Sequence, residues 1–96
     1  MAKNSSRFYH YGQTVSSSKT QTLYPTKGER SYFLLENRSG ATVYLNFDAE
    51  ANANDGIQIP AGGLYELEQT APSNNIHIAG SQVADQRINI TEAFYD

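Results

Sequence analysis

The side chains able to perform acid–base chemistry are few and lie far apart in the sequence. The 96 residues contain two histidines, His10 and His77, and no cysteine. His77 stands between Ile76 and Ile78, so alternation along a strand turns its imidazole away from both, towards solvent or an interface. His10 lies in a polar segment with few core-forming neighbours, which is a poor support for a preorganised catalytic group. Neither histidine is expected to act as a catalytic base.

Motifs that mark nucleophilic or phosphate-binding sites are missing from the sequence. It has no Gly-x-Ser-x-Gly elbow, no cysteine nucleophile and no glycine-rich phosphate loop leading into a helix. Glu66 and Glu68 share one face of a predicted strand, but carboxylates on an exposed face usually serve solubility. We predict a protein that is not an enzyme, with no catalytic residues and no cofactor.

A polar loop over residues 48–56 is the candidate metal site. Its oxygen atoms are ligands of the kind that Ca²⁺ prefers, but their order does not match the D-x-[DN]-x-[DN]-G ligand pattern. Asn and Asp are also common between strands because their side chains cap turns. We predict an ordinary connection without metal ligands, and Ca²⁺ binding by residues 48–55 is the alternative. The candidate ligands would be Asp48, Glu50, Asn52, Asn54 and Asp55.

Aromatic residues near the N-terminus indicate contact with a partner. Residues 7–11 read Arg-Phe-Tyr-His-Tyr in a stretch that has little core of its own. Large rings with a polar tip are favoured at interfaces because they bury much area. We favour an anchor that inserts into a partner, and the alternative is a strand that folds back onto its own domain. The predicted partner-binding residues are Arg7, Phe8, Tyr9, His10, Tyr11, Leu23, Tyr24, Phe94 and Tyr95.

The first third of the chain is poor in residues that form a core. Its sizeable apolar and aromatic side chains follow no regular period, whereas residues from 31 onward form short apolar runs separated by Gly, Pro and Asn. We therefore predict an extended N-terminal arm over residues 1–30 and one domain over residues 31–96. A domain of this size without disulfides usually gains support from association.

The charge distribution and hydropathy narrow the range of partners. Residues 1–30 carry five cations and one acid, a net +4, and residues 31–96 carry two cations and nine acids, a net −7. An acidic domain argues against nucleic acid, which needs clustered Lys and Arg. No apolar run reaches the ~18 residues of a membrane span, and no secretion signal precedes the domain. We expect a soluble protein made in the cytoplasm, with no membrane partner.

The domain is predicted to be all-β. Apolar and polar residues alternate along residues 41–47, and the preceding run over residues 31–37 with its Asn-Arg-Ser-Gly turn indicates a hairpin between the two. Further short strands are predicted within residues 56–60, 64–68, 75–79 and 86–91. Strands at intervals of roughly ten residues indicate a small antiparallel β-sandwich or a jelly-roll-like barrel.

The order of the strand motifs is distinctive. In sequence they are LENRS (35–39), VYLNF (43–47), GIQIPAGG (56–63), YEL (65–67), IHIAG (76–80) and INITE (88–92). This succession resembles small β-sandwich structural proteins of tailed bacteriophage virions. The resemblance covers about two-thirds of the chain and leaves out the predicted arm.

That resemblance implies a non-enzymatic virion protein that acts after synthesis in the host cytoplasm. We expect a capsid decoration or cement protein that binds and stabilises the assembled head through the arm and the sandwich. Its partners would be the major capsid protein or other virion proteins, and it would itself be a homo-oligomer. The alternatives are a head–tail connector or tail-fibre adaptor and, from another class, a ligand- or receptor-binding module. That module would use faces carrying Tyr44, Tyr65 and strand-flanking Asn residues, or the candidate Ca²⁺ loop.

Overall fold

A computed structural model describes residues 6–24, 29–48, 50–51, 55–68 and 75–95. These residues form eight strands and no helix, which confirms the all-β prediction. No helix among them is therefore long and apolar enough to cross a membrane. The strands are β1 (Ser6–Val15), β2 (Gln21–Leu23), β3 (Arg30–Asn37), β4 (Val43–Phe47), β5 (Ile57–Ile59), β6 (Leu64–Leu67), β7 (Ile76–Gly80) and β8 (Gln86–Tyr95).

The strands form two four-stranded sheets. The first has the order β1-β8-β3-β6 and the second the order β2-β7-β4-β5, and each neighbouring pair is antiparallel. This arrangement, in which every successive strand except β5 changes sheet, is the strand order of a jelly roll. The predicted sandwich or jelly-roll class is confirmed.

The core lies between the two sheets because each strand turns alternate side chains inward. In β3, for example, Phe33 and Leu35 are fully buried, while Tyr32 and Leu34, which alternate with them, are partly exposed. The buried apolar cluster draws on both sheets. Its members are Val15, Leu23, Phe33, Leu35, Val43, Leu45, Ile59, Ile76, Ile78, Ile88 and Ile90.

The N-terminal segment differs from the predicted arm wherever the structure describes it. All ten residues of β1 pair with β8, and β2 pairs with β7. Val15 and Leu23 belong to the core, so residues 6–24 are part of the sandwich. The alternative of a strand folding back onto its own domain is the one that the structure shows. Residues 1–5 and 25–28 of the predicted arm lie outside the described residues.

The predicted hairpin of residues 31–37 and 41–47 is wrong, because β3 and β4 lie in different sheets. Buried Asn37 holds the chain where it crosses: its Nδ2 donates to the carbonyls of Ala41 (2.8 Å) and Ile59 (2.9 Å), and its Oδ1 accepts from the Ser39 amide (3.0 Å). Buried Gln86 donates from Nε2 to the Ala41 carbonyl at 3.1 Å. A polar cluster therefore closes this end of the sandwich and directs the chain into the second sheet.

Candidate interaction surface

The aromatic segment of β1 distributes its side chains between the two faces of the first sheet. Alternation places Phe8 and His10 on the outer face and Tyr9 and Tyr11 towards the core. Phe8 is 65% exposed, and its ring centroid lies 5.9 Å from that of Tyr32 on β3. His10 is exposed, and its Nδ1 is 2.6 Å from the Thr91 hydroxyl on β8. Within this segment, Phe8 and His10 are the rings that a second molecule would meet first.

The inner rings of β1 are used within the chain itself. The Tyr9 ring packs edge-on against buried Phe94, with 6.0 Å between centroids. The half-buried Tyr11 donates its hydroxyl proton to Glu92 Oε1 at 2.5 Å. Leu23 is buried in the core. Tyr11, Leu23 and Phe94 are therefore held inside the sandwich, in contrast to their predicted placement on a partner-binding surface.

The remaining predicted partner-binding residues lie nearer the surface. Arg7 is exposed at the start of β1, Tyr24 is 58% exposed after β2, and Tyr95 is half-buried at the end of β8. Arg7 and Tyr95 share one end of the first sheet, since Arg7 is paired with Phe94 and its neighbour Ser6 with Tyr95. Tyr24 is not at that end of the first sheet, since it directly follows β2, a strand of the second sheet.

A buried ion pair lies beneath β1. Arg30 is 1% exposed, and its Nε donates to Glu92 Oε2 at 2.9 Å. Its guanidinium carbon lies 5.6 Å from the ring centroid of Phe94 and 6.0 Å from that of Phe33, within range of cation–π attraction. Because Arg30, Glu92 and Tyr11 belong to β3, β8 and β1, the cluster ties three neighbouring strands together.

Burial is the main cause that raises the pKa of Tyr11, and the hydrogen bond and the negative charge of Glu92 raise it further. The phenol therefore stays protonated as a donor to Glu92, and the carboxylate receives hydrogen bonds from both sides. This arrangement stabilises the fold and offers no open position for a substrate. Sequence reasoning missed Arg30 and Glu92, because 62 residues separate them.

The two edges of the first sheet are exposed and differ in character. Among the described residues, β1 and β6 each pair with one strand only. The β6 edge carries Leu64, which is 61% exposed, and the exposed carboxylate Glu66, followed by exposed Glu68. Glu66 accepts a 2.6 Å hydrogen bond from the Tyr32 hydroxyl, which raises the pKa of Tyr32 to about 12. We define these two edges, β1 and β6, as the candidate interaction surface.

A cleft of about 440 Å³ lies on the outer side of the second sheet. Tyr44 and His77 project from neighbouring strands into its lining, and Glu50 borders it from the loop after β4. The His77 ring lies on the outer face, as alternation predicts, with Nδ1 3.3 Å from the Thr22 hydroxyl. A ring, an imidazole and a carboxylate around one cleft are groups able to hold a small polar ligand.

The predicted Ca²⁺ alternative falls partly outside the described residues, which exclude Asn52 and Asn54. No group of three or more His, Asp and Glu side chains suited to a metal ion occurs in the part of the chain that the structure describes. Asp48 has a positive φ of 58° and accepts a hydrogen bond from the amide of Asn75 at 3.2 Å. This bond links the ends of β4 and β7, the capping role common for Asp in turns.

No protein-family model and no curated protein matches the sequence. Among solved structures, the chain is similar to one from the Bacillus endospore appendages, described as "a novel family of disulfide-linked pili". The TM-score is 0.58 at 13% identity, and the match covers 95% of this chain and 87% of that one. What the two share is the fold. The 96 residues here contain no cysteine, so they cannot form the disulfides named for those pili.

Proposed function

We propose that this protein is a non-enzymatic structural subunit that acts by binding other protein subunits in a multi-copy assembly. The observation that carries the proposal is the exposed edge of β1, a ten-residue strand with Phe8 65% exposed at one end. Proteins that act alone usually shield such an edge with Pro, Lys, a bulge or a covering loop. β1 contains neither Pro nor Lys, and its pairing with β8 runs without a register shift.

The sequence resemblance supports a specific form of this role. Under it, the protein decorates and stabilises a tailed-phage capsid, with the major capsid protein as partner and a connector or tail-fibre adaptor as the alternative. The binding surface would be the folded sandwich with its exposed edges, since residues 6–24 belong to the sheets. Copy number separates the two forms, because a decoration protein occurs hundreds of times per particle and a connector a few dozen times at most.

The structural neighbour supports a second form, a subunit of an extracellular filament. That neighbour belongs to appendages described as pili, and the match covers most of the length of both chains. A filament forms when each copy binds the next one. The exposed strand edges could therefore serve as the binding surface in a filament, as they could on a capsid. Without cysteine in these 96 residues, their subunit contacts would contain no disulfide.

Sedimentation analysis and electron microscopy of the purified protein test the proposal. We expect oligomers or filaments whose mass rises from micromolar to millimolar concentration, or co-sedimentation with capsids when particles are supplied. A protein that stays monomeric over this range and binds no particle would contradict the structural role. Saturable binding of a small glycan or metabolite, abolished by Tyr44→Ala, would favour the ligand-binding module, which the cleft beside Tyr44 supports.

A further inference from the structure

The directions of the strands in the first sheet determine how a second copy fits against it. Each neighbouring pair in β1-β8-β3-β6 is antiparallel, so β1 and β6 run in opposite directions at the two edges. A second copy in the same orientation therefore brings its β1 antiparallel to β6 of the first. We propose that copies of this chain join head to tail through β1 and β6, so that one sheet continues from copy to copy. This inference rests on the proposed structural role.

The charges on the two edges favour this contact. The β1 edge contains no acid; it carries the imidazole of His10 on its outer face and the exposed cation Arg7 at its start, and the outer face of the β6 edge carries the carboxylates of Glu66 and Glu68. Opposite charges on adjacent strands stabilise a sheet, whereas like charges facing each other destabilise it. A β6-to-β6 contact would bring the two glutamate rows together, so the edges complement each other better than β6 complements itself.

Exposed apolar side chains add to the attraction between the edges. Phe8 on β1 is 65% exposed and Leu64 on β6 is 61% exposed, and both lie on the outer face of the sheet. Large apolar side chains at a sheet edge promote pairing with another chain, because the new strand supplies backbone hydrogen bonds and covers apolar area. The described part of the sheet thus carries an apolar residue on each of its two exposed edges.

The pairing within the sheet also gives the register of the contact. Two rows of partners cross the sheet: Gly12, Asn89, Glu36 and Leu64 form one, and His10, Thr91, Leu34 and Glu66 form the next. Continuing these rows into the next copy without a shift places its His10 beside Glu66 and its Gly12 beside Leu64. The imidazole then meets a carboxylate. The exposed leucine meets Gly12, where the guanidinium of Arg87 on β8 occupies the space that a side chain would take, so Leu64 would pack against the Arg87 side chain.

The contact uses different surfaces on the two partners, so each copy keeps one free β1 edge or one free β6 edge after binding. Such a contact closes into a ring when the rotation between copies allows it and otherwise grows into a filament. The right-handed twist of sheets supplies a rotation at each step. Because β6 has only four residues, the shared ladder is short and the association is expected to depend on concentration.

Engineered cysteines test the contact directly, because the chain has none of its own. The double variant His10→Cys/Glu66→Cys places thiols on the two edges. Within one copy these positions are three strands apart, about 14 Å, which is too far for the Cα separation of up to ~7 Å that a disulfide needs. Mild oxidation should therefore give a ladder of linked copies on a non-reducing gel. The matched control is His10→Cys/Gln58→Cys, since Gln58 is exposed on β5 at the edge of the other sheet.

The outcomes separate this inference from the proposed function. A ladder from the His10/Glu66 variant that exceeds the control supports head-to-tail pairing. Equal ladders, or assemblies of the unmodified protein without specific crosslinking, overturn the contact and leave the structural role standing. A crosslinked product that stops at the dimer, and that also forms with the single variant His10→Cys, overturns the head-to-tail contact. It would indicate a two-fold β1-to-β1 contact instead. A protein that never self-associates overturns the contact, and one that also binds no particle contradicts the structural role as well.

A second pair of variants keeps His10 and Glu66 in place. Leu64→Lys puts a charge on the β6 edge and should weaken self-association about tenfold, the effect of losing the burial of one leucine side chain. Val83→Lys, at an 88% exposed position in the connection before β8, should leave self-association unchanged. Equal effects of the two variants would overturn the inference, with circular dichroism confirming that both variants are folded.

Discussion

The rings of Phe8 and Tyr32 meet across a strand that neither belongs to, with 5.9 Å between their centroids. Both residues are paired with Ala93 on β8, Phe8 from β1 and Tyr32 from β3. Alanine is small enough for the two rings to approach over it, and Ala93 is fully buried although it faces outward. This contact fastens the N-terminal end of β1 to the sheet and leaves most of the Phe8 ring available to a partner.

The exposure of Phe8 predicts a small effect on stability when the ring is removed. Phe8→Ala should lower the free energy of unfolding by about 1 kcal/mol, the value of one aromatic pair. Phe33→Ala is the matched control, since Phe33 is fully buried and its truncation should cost about 3–5 kcal/mol. Urea denaturation measures both. Similar losses for the two variants would show that Phe8 serves the fold more than an interface.

Deletion of residues 2–24 should abolish folding, because it removes β1 and β2 together with the buried side chains of Val15 and Leu23. The ladders of β8 and β7 would lose one partner each. Circular dichroism and the cooperativity of thermal unfolding measure the effect. The control deletion of residues 2–5 keeps β1 and should unfold cooperatively. A 2–24 deletion that retained the sandwich would restore the idea of a separable arm.

The strands with dense, alternating apolar residues were predictable, whereas β1, which has few aliphatic residues, was expected only as the alternative to an arm. Val43 and Leu45, or Ile88 and Ile90, give period-two patterns that identify β4 and β8 directly. In β1 the inner face consists mainly of polar or amphipathic side chains, with Val15 as its one buried aliphatic residue. β1 forms because it pairs with β8, and its own composition does not favour a buried strand. The sequence of this segment therefore looks like that of an extended arm.

The candidate surface was partly predictable for a related reason. Residues 7–11 were identified from their aromatic content, and the structure brings Phe8 and His10 of this group to the outer face. The division of the segment into inner and outer rings depends on the register with β8, which no local pattern specifies. The β6 edge was missed because short runs of Leu and Glu do not reveal that their strand ends a sheet.

Loss of Glu92 should be among the most destabilising single changes. Glu92→Ala would leave the guanidinium of Arg30, which is 1% exposed, without its carboxylate, and breaking a buried ion pair in this way costs about 3–5 kcal/mol. Tyr11→Phe removes only one hydrogen bond to Glu92 and should cost about 1 kcal/mol. Chemical denaturation of both variants gives the comparison. The double change Arg30→Met/Glu92→Leu tests the charge argument, since it should recover much of the stability that Glu92→Ala loses.

The hydrogen bond between Tyr32 and Glu66 predicts a dependence on alkaline pH. That bond, followed by burial and nearby carboxylates, raises the pKa of Tyr32 from 10.0 to about 12. The raised pKa belongs to Tyr32 in the folded state. The protonated Tyr32 therefore contributes fully to stability at pH values below the pKa of this tyrosine in the unfolded chain, and the contribution is lost as the pH rises through about 12.

Glu66→Gln should shift the titration of Tyr32 towards its ordinary range, since the variant lacks the negative charge that disfavours the phenolate. Carbon NMR of labelled tyrosine rings follows the titration residue by residue. Asp85→Asn removes a carboxylate that lies beside Lys19 and serves as the charge-matched control. An unchanged Tyr32 titration in Glu66→Gln would mean that burial and the other nearby carboxylates set its pKa.

The crossing from the first sheet to the second depends on Asn37. Its side chain is 1% exposed, and its amide donates to three carbonyls while its oxygen accepts from the backbone and hydroxyl of Ser39. Asn37→Ala removes the side-chain donor to the Ile59 carbonyl and the acceptor of the Ser39 amide, at about 1–3 kcal/mol for each group that stays unsatisfied. The Ala41 carbonyl keeps its hydrogen bond from Gln86. We expect a loss of at least about 2 kcal/mol in the free energy of unfolding. The variant should also increase hydrogen exchange of the amides in the connection over residues 38–42, because the Ser39 amide loses its acceptor on Asn37. Asn89→Ala, on the half-buried outer face of β8, is the matched control and should change stability by less than about 1 kcal/mol. If both variants unfolded at the same urea concentration, the crossing would owe its geometry to the strands around it and not to the side chain of Asn37.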